Sequence, residues 1–245
     1  MKAIKLVLLS FLFTISVTAT SAENKYSFEK DQRAQQDVLR DAQSKGPEIV
    51  DLVGIKPNMQ VLDILGGGGY YSEIISGKVG QGGNVYLHNN QAYMPWVEKE
   101  LIARLDENRL ENVVRWDKEA DNLALKKQSF DAIFFVLGYH DMYHTAKDWS
   151  IDKDDFLKQL DESLKAGGKL LVVDHNAVAG SGTQHSQKLH RIDVEYVKKE
   201  LTGKGYKLIK ESSILANLKD DRMGSPFSKE MRRKTDRFVL LFEKK

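Results

Sequence analysis

Two strand-like segments of the chain are apolar at every position, "AIFFVL" at residues 132–137 and "LLVV" at residues 170–173. A strand with one face in water alternates apolar and polar residues, whereas continuous apolar runs are typical of strands buried on both faces of a parallel sheet. Neighbouring parallel strands need a long crossover connection, which is usually a helix. The pattern therefore predicts a sheet covered by helices on both faces.

Strand-like and helix-like segments alternate along the chain, with no internal repeat or linker between them. The predicted strands are Gln60–Ile64, Asn84–His88, Asn112–Trp116, Asp131–Leu137, Lys169–Asp174, Tyr206–Ser212 and Phe238–Glu243. The predicted helices lie near residues 70–77, 96–108, 153–164 and 189–202. We therefore predict one α/β domain over residues 23–245, which begins with a helical segment at residues 23–55. Its core is a Rossmann-like, seven-stranded, mostly parallel sheet with helices on both faces and a C-terminal antiparallel hairpin.

Residues 1–22 have the composition of a secretory signal peptide. A basic start precedes an apolar stretch from Leu6 to Val17, and small residues follow it. This stretch is shorter than the roughly 20 apolar residues that span a membrane. We predict cleavage after Ala22, or alternatively after Ala19, and secretion, most simply into a bacterial periplasm. The mature protein is then expected to have no stable membrane anchor.

Charge and cysteine content exclude several classes of function. Without residues 1–22 the chain has equal numbers of basic and acidic side chains, so nothing in its charge favours nucleic acid as a partner. The chain has no cysteine, which excludes disulfides, a thiolate nucleophile and a cysteine zinc site.

Four consecutive glycines, at positions 66–69, follow the first predicted strand in "VLDILGGGGYYSE". Ligands of such sheets bind outside the carboxyl ends of the strands. Glycine lets a ligand approach the main chain closely, and the start of the following helix offers free backbone N–H groups. The stretch is either a ligand-binding loop or a simple turn.

This stretch resembles the first motif of the class I S-adenosylmethionine-dependent methyltransferases. Asp63, Gly67 and Gly69 match three positions of that motif, and Leu65 stands where the motif has its first glycine. The resemblance extends to a set of secreted predicted methyltransferases that share "GGGGYYSE", "GYHD", "DHNA" and "HRID". It implies that S-adenosylmethionine is the cofactor and that these glycines, with Gly66, hold its methionine end.

Two further matches concern the ribose and the adenine of the cofactor. The superfamily usually has an Asp or Glu after the second strand, and Asn89 stands at that place. An amide can accept a hydrogen bond but lacks the strength of a charged carboxylate. The segment "EADNLAL" resembles the stretch after the third strand, which implies that Glu119 and Ala120 lie at the adenine.

The resemblance, which covers residues 50–245, implies a methyltransferase that acts on an unidentified small-molecule acceptor. A rival hypothesis is a methyltransferase-like fold that no longer methylates and serves as a periplasmic binding protein. Asn89 and the export signal are the two features that motivate the rival.

Polar side chains follow the fourth and fifth predicted strands, at the edge of the sheet where a methyl group would be delivered. Histidine titrates near neutrality and is the commonest general base in enzymes. We predict His175 as the base, with His140 and His190 as the next candidates and Asp174 beside them. The alternative is that these side chains only stabilise the loops.

A metal site is the other alternative at this edge. Some small-molecule O-methyltransferases similar in fold hold a divalent cation with acids after the fourth strand and an Asp-Asn pair after the fifth. Asp141, Asp174 and Asn176 offer hard oxygen ligands suited to magnesium or calcium. Because His175 separates the pair, we predict no metal.

Overall fold

The structure is a computed structural model, and it describes residues 33–245. The predicted signal peptide and the first part of the N-terminal helical segment lie outside these residues. The described chain begins with helices α1 (Gln35–Ser44) and α2 (Gly46–Val53). Lys45 separates them in the left-handed conformation, and Pro47 lies in the first turn of α2, where its missing N–H leaves no bond unmade.

Seven strands form one sheet. They are β1 (Gln60–Ile64), β2 (Asn84–Asn89), β3 (Val113–Asp117), β4 (Phe130–Val136), β5 (Leu164–His175), β6 (Lys207–Ser212) and β7 (Arg237–Glu243). Their order across the sheet is β3-β2-β1-β4-β5-β7-β6, and β7 runs antiparallel to both of its neighbours. The predicted fold class is confirmed. The strand order reverses between β1 and β4, which is where sheets of this kind bind ligands.

Helices cover both faces of the sheet. They are α3 (Tyr70–Val79), α4 (Met94–Leu105), α5 (Lys153–Ser163), α6 (Ser186–Leu189) and α7 (Val194–Gly203). Phe134 packs in the core under α2 and α3, and its neighbour Phe135 packs in the opposite core under α5 and α7. Both are fully buried, which explains why the strand is apolar at consecutive positions. None of the helices in residues 33–245 is long and apolar enough to cross a membrane.

Three predicted boundaries differ from the structure for identifiable reasons. The third strand begins at Val113 because the Asn112 side chain bonds the carbonyl oxygens of Ser76 and Gly80 at the end of α3. The fifth strand, predicted from Lys169, begins at Leu164, because Leu164 already pairs with Phe130 of β4 across an irregularity that precedes Lys169. The helix predicted at residues 189–202 begins only at Val194, because His190 with φ +49° ends the short helix α6 before it.

Candidate active site

The four glycines after β1 are glycine for different structural reasons. A Cβ on Gly66, Gly68 or Gly69 would lie 2.1–2.8 Å from a neighbouring side-chain atom, so the protein's own packing requires them. Gly67 has φ +59°, and its Cβ would meet only Val97, at 3.8 Å. Gly67 therefore leaves free space on the side where a Cβ would lie, which is what a ligand held by this loop needs.

Asn89, the predicted ribose ligand, bonds the glycine loop. Its Oδ1 accepts from the Gly67 N–H, and its Nδ2 donates to the Gly67 carbonyl, each at 2.9 Å. The next residue, Asn90, is 4 % exposed, and its Oδ1 has no hydrogen-bond partner among the described residues. A buried acceptor without a donor is energetically unfavourable, so Asn90 Oδ1 has an unused hydrogen-bonding capacity, whereas both polar atoms of the Asn89 side chain are engaged with Gly67. The sequence signal was the doubled asparagine of "HNN".

Two buried titratable groups support the loop from below. His88 accepts from the Leu65 N–H at 3.3 Å and donates from Nε2 to the Lys118 carbonyl at 3.0 Å. Burial lowers the pKa of His88 to about 4, so its ring is neutral. Asp63 accepts from the Ser72 hydroxyl at 2.7 Å, and burial raises the pKa of Asp63 to about 6. The loop is therefore held without a strong ion pair at Asp63.

The predicted adenine residues follow β3. Glu119 is exposed, and its Oε1 accepts from the Gln91 N–H at 3.0 Å, while Ala120 is buried beside it. Together with the space at Gly67 and the acceptor on Asn90, they form a set of groups that fits S-adenosylmethionine.

His140 lies between two carboxylates at the ends of β4 and β5. Its Nδ1 lies 2.8 Å from Asp174 Oδ1, and its Nε2 lies 3.1 Å from Asp141 Oδ1. Burial alone would lower the pKa of His140, but the two carboxylates outweigh it and raise the pKa to about 10. Asp174 also accepts from the backbone N–H groups of His140 and His175. His140 is therefore a cation at neutral pH, fixed in position by Asp174.

Tyr93 connects the end of β2 to this charged group. It lies in a short 3-10 turn, Gln91–Tyr93, and its hydroxyl donates to Asp141 Oδ2 at 2.6 Å. Its ring packs on Trp149, which donates from Nε1 to the Asp141 carbonyl at 2.8 Å. Burial alone would raise the pKa of Asp141, but the His140 cation holds it well below its usual range. No sequence pattern indicated Tyr93, because its partner is 48 positions away.

The three predicted histidines come together in the structure. The His140 ring centroid lies 6.1 Å from that of His175 and 5.3 Å from that of His190. His175 is 7 % exposed, and its Nδ1 lies 2.7 Å from Thr235 Oγ1. Burial, followed by the charge of His140, lowers the pKa of His175 well below its usual value. Neighbouring His140 and His175 are thus a cation and a neutral imidazole.

His190 is the most accessible of the three histidines. Its side chain is 22 % exposed, and its Nδ1 lies 3.6 Å from Asp141 Oδ1. That nitrogen is buried and has no hydrogen-bond partner in the described part of the chain. By contrast, two members of the metal set considered from the sequence are engaged elsewhere. Asp174 contacts His140, and the Asn176 Oδ1 accepts from the Val194 N–H at 3.4 Å while its Nδ2 donates to Asp236 at 3.1 Å.

The model of the ubiE/COQ5 methyltransferase family matches residues 40–209. The chain belongs to this family. The predictions of a class I methyltransferase and of S-adenosylmethionine as its cofactor are thereby confirmed, and the non-methylating rival is not favoured.

Individual relatives support the same assignment. The chain is 32 % identical over 148 residues to the ubiquinone/menaquinone biosynthesis C-methyltransferase UbiE of Laribacter hongkongensis, a match covering 58 % of this chain and 56 % of that protein. It is 29 % identical over 147 residues to UbiE of Hahella chejuensis, covering 58 % and 55 %. The chain thus spans about half the length of the curated relatives it matches.

Solved structures share the fold. A SAM-dependent methyltransferase from Aquifex aeolicus superposes with a TM-score of 0.60 at 19 % identity, covering 88 % of this chain and 98 % of that one. A sarcosine dimethylglycine methyltransferase from Galdieria sulphuraria gives 0.58 at 14 % identity, covering 88 % and 89 %.

Proposed function

We propose that this chain transfers the methyl group of S-adenosylmethionine to a small-molecule acceptor. The observation that carries the proposal is the open backbone of Gly67 in a family whose cofactor needs that loop. The cofactor, when bound, supplies an electrophilic methyl group. In this chain the glycine loop would hold its methionine end, Asn90 its ribose and Glu119 its adenine.

An electron-rich aromatic ring is the acceptor class we propose. The relatives are named as C-methyltransferases of ubiquinone and menaquinone biosynthesis, whose acceptors are ring compounds. In this chain the connection between β6 and β7 exposes four large apolar side chains, Ile214, Leu218, Met223 and Phe227. The Phe227 ring packs edge-on against His190 at 4.8 Å. An apolar, ring-bearing acceptor would therefore contact Phe227 beside the histidines.

A ring carbon becomes a better nucleophile when a hydroxyl on the ring loses its proton. His140 keeps its own proton, since two carboxylates stabilise the cation. His175 is neutral, and only a neutral imidazole can accept a proton. Two neighbouring groups whose pKa values are moved apart are a common arrangement for acid and base roles. We therefore propose His175 as the base and His140, positioned by Asp174, as the cation beside it.

The test is methyl transfer from S-adenosylmethionine labelled in its methyl group to a panel of quinols and phenols. Label is expected in an extracted aromatic product. His175→Ala should lower turnover by ~10²-fold while cofactor affinity changes little, because His175 follows β5 and the cofactor is held at β1 to β3. His185→Ala, which alters a histidine outside the cluster, is the control. Label found only in protein or RNA, or no transfer at all, would contradict the proposal.

We also propose that residues 1–22 direct export of the chain. The support is the sequence pattern of a basic start, an apolar stretch and a small-residue exit. Mass spectrometry of the protein recovered from cells should find an N-terminus at residue 23, or at residue 20. Recovery of intact residues 1–22 would contradict export by cleavage.

A further inference from the structure

Three side chains at the rim of the sheet converge on one point. One ligand atom each from His140, Asp141 and His190 lies within 4.8 Å of the other two. We propose that these three residues bind a divalent first-row transition metal such as zinc or iron. We refer to them as the rim triad.

The spacing of the rim triad fits a metal. Asp141 Oδ1 lies 3.1 Å from His140 Nε2 and 3.6 Å from His190 Nδ1. Nitrogen and oxygen ligands at about 2.1 Å from a tetrahedral zinc ion stand ~3.4 Å apart, so small side-chain movements suffice. Because a ligating imidazole must be unprotonated, binding would release the proton from His140 Nε2, and the metal ion would then replace the His140 cation as the positive charge beside His175.

His190 Nδ1 is the atom that most directly requires a partner. It is buried and has no hydrogen-bond partner among residues 33–245, although it faces the Asp141 carboxylate. The His190 ring is held between the His144 ring, at 4.7 Å, and the Phe227 ring, at 4.8 Å. The His190 side chain is thus held in place with an unbonded nitrogen 3.6 Å from a carboxylate oxygen, so this nitrogen is available to bind a metal.

Outer contacts orient the other two members of the rim triad. Asp174 Oδ1 lies 2.8 Å from the second ring nitrogen of His140, an arrangement that is typical behind metal-ligating histidines. Tyr93 donates to the second carboxylate oxygen of Asp141 at 2.6 Å, which leaves Oδ1 for the metal. All three ligands would therefore be oriented before the metal arrives.

The donor set decides the class of metal. Two imidazole nitrogens and one carboxylate oxygen suit zinc, iron and their neighbours, whereas magnesium and calcium prefer oxygen ligands. Three protein ligands leave at least one position open, as in catalytic rather than structural metal sites. The site differs from the oxygen set considered from the sequence, in which Asp174 and Asn176 were ligands.

Isothermal titration with zinc chloride, after removal of bound metal from the full-length chain, tests the inference. One zinc per chain is expected. His190→Asn removes the imidazole but keeps a residue that tolerates positive φ, and both His190→Asn and Asp141→Asn should abolish stoichiometric binding. Asp174→Asn should weaken binding by ~10–100-fold, the usual effect of losing a partner behind a ligand. His185→Ala should bind zinc as the unmodified chain does.

A cobalt titration read by visible absorption provides a second measurement, since its ligand-field bands report direct coordination. They should appear with the unmodified chain and be absent from His190→Asn that retains the native circular dichroism spectrum. Zinc binding that is absent from the unmodified chain, or unchanged in both ligand variants, would overturn the inference. Gly67→Val should leave zinc binding intact, so the outcome is separable from that of the proposed methyl transfer.

Discussion

The glycine loop and the rim triad both lie at carboxyl ends of strands, but different forces hold them. Under the loop, burial raises the pKa of Asp63 to about 6, because its main partner is the neutral Ser72 hydroxyl. At the rim, the His140 cation outweighs burial and lowers the pKa of Asp141. Backbone conformation and neutral hydrogen bonds support the loop at Asp63 and Asn89, and Arg104, which is paired with Glu73 and Asp37, donates to the Gly68 carbonyl. At the rim, the His140 cation lies in direct contact with two carboxylates.

The difference suggests that the two regions have different roles, with cofactor binding at the loop and acid and base chemistry at the rim. A loop without an unpaired cation suits a cofactor that brings its own positive charge, and the Arg104 cation beside Gly68 is paired with the carboxylates of Glu73 and Asp37. A charged rim keeps neighbouring groups in different protonation states, which acid and base chemistry requires. Four predictions test this comparison.

The largest effect is expected when Asp174, the carboxylate behind His140 of the rim triad, is removed. Asp174→Ala removes the fully buried one of the two carboxylates that contact the His140 cation and leaves only Asp141, and breaking a buried charged pair costs ~3–5 kcal/mol of unfolding free energy. Asn89→Ala, which removes both neutral bonds to Gly67, should cost ~1–3 kcal/mol. Urea denaturation of the two variants measures both values. Equal losses, or a larger loss for Asn89→Ala, would contradict the comparison.

The next effect concerns pH and Asp63. Between its unfolded pKa of 3.8 and its folded pKa of about 6, the folded chain binds the proton more tightly than the unfolded chain does. Asp63 therefore reduces stability as pH rises through this window, by up to ~3 kcal/mol. Asp63→Asn should gain stability relative to the unmodified chain from pH 4 to pH 6.5, in denaturation curves recorded at both values. A constant difference would show that the pKa is not raised.

A smaller effect separates two adjacent asparagines. Asn90→Asp places a carboxylate where an unpaired buried acceptor lies, so S-adenosylmethionine affinity should rise by ~1 kcal/mol through a charged bond to the ribose. Asn89→Asp replaces a donor that bonds the Gly67 carbonyl, so affinity should fall as the loop is distorted. Calorimetry on both variants is the measurement. A higher affinity for Asn89→Asp than for Asn90→Asp would instead indicate that Asn89 binds the ribose.

The sequence predicted the fold and the position of the glycines after the first strand, because both depend on local patterns. Continuous apolar runs reveal strands buried on both faces, and Gly67 follows its strand directly. The rim was predicted only in part. His140, His175 and His190 were expected near one another, because strand ends share an edge.

The remaining details depend on contacts between distant positions. That Asn89 bonds Gly67, that Tyr93 reaches Asp141, and that His190 interrupts a helix follow from tertiary packing. Side-chain direction decides such contacts, and a single sequence does not contain it. The absence of a metal was predicted from oxygen ligands alone, and the alternative set became visible only when His190 was placed beside Asp141.

The central claim is that the open backbone at Gly67 receives S-adenosylmethionine. Calorimetry should compare Gly67→Val with Gly54→Val, because both glycines have positive φ and a Cβ added to either would meet no atom closer than 3.8 Å. The two substitutions impose similar backbone strain, but Gly54 lies at the opposite end of the sheet, before β1. Our account predicts that the unmodified chain and Gly54→Val bind the cofactor and that Gly67→Val does not. Equal binding by both variants would contradict it.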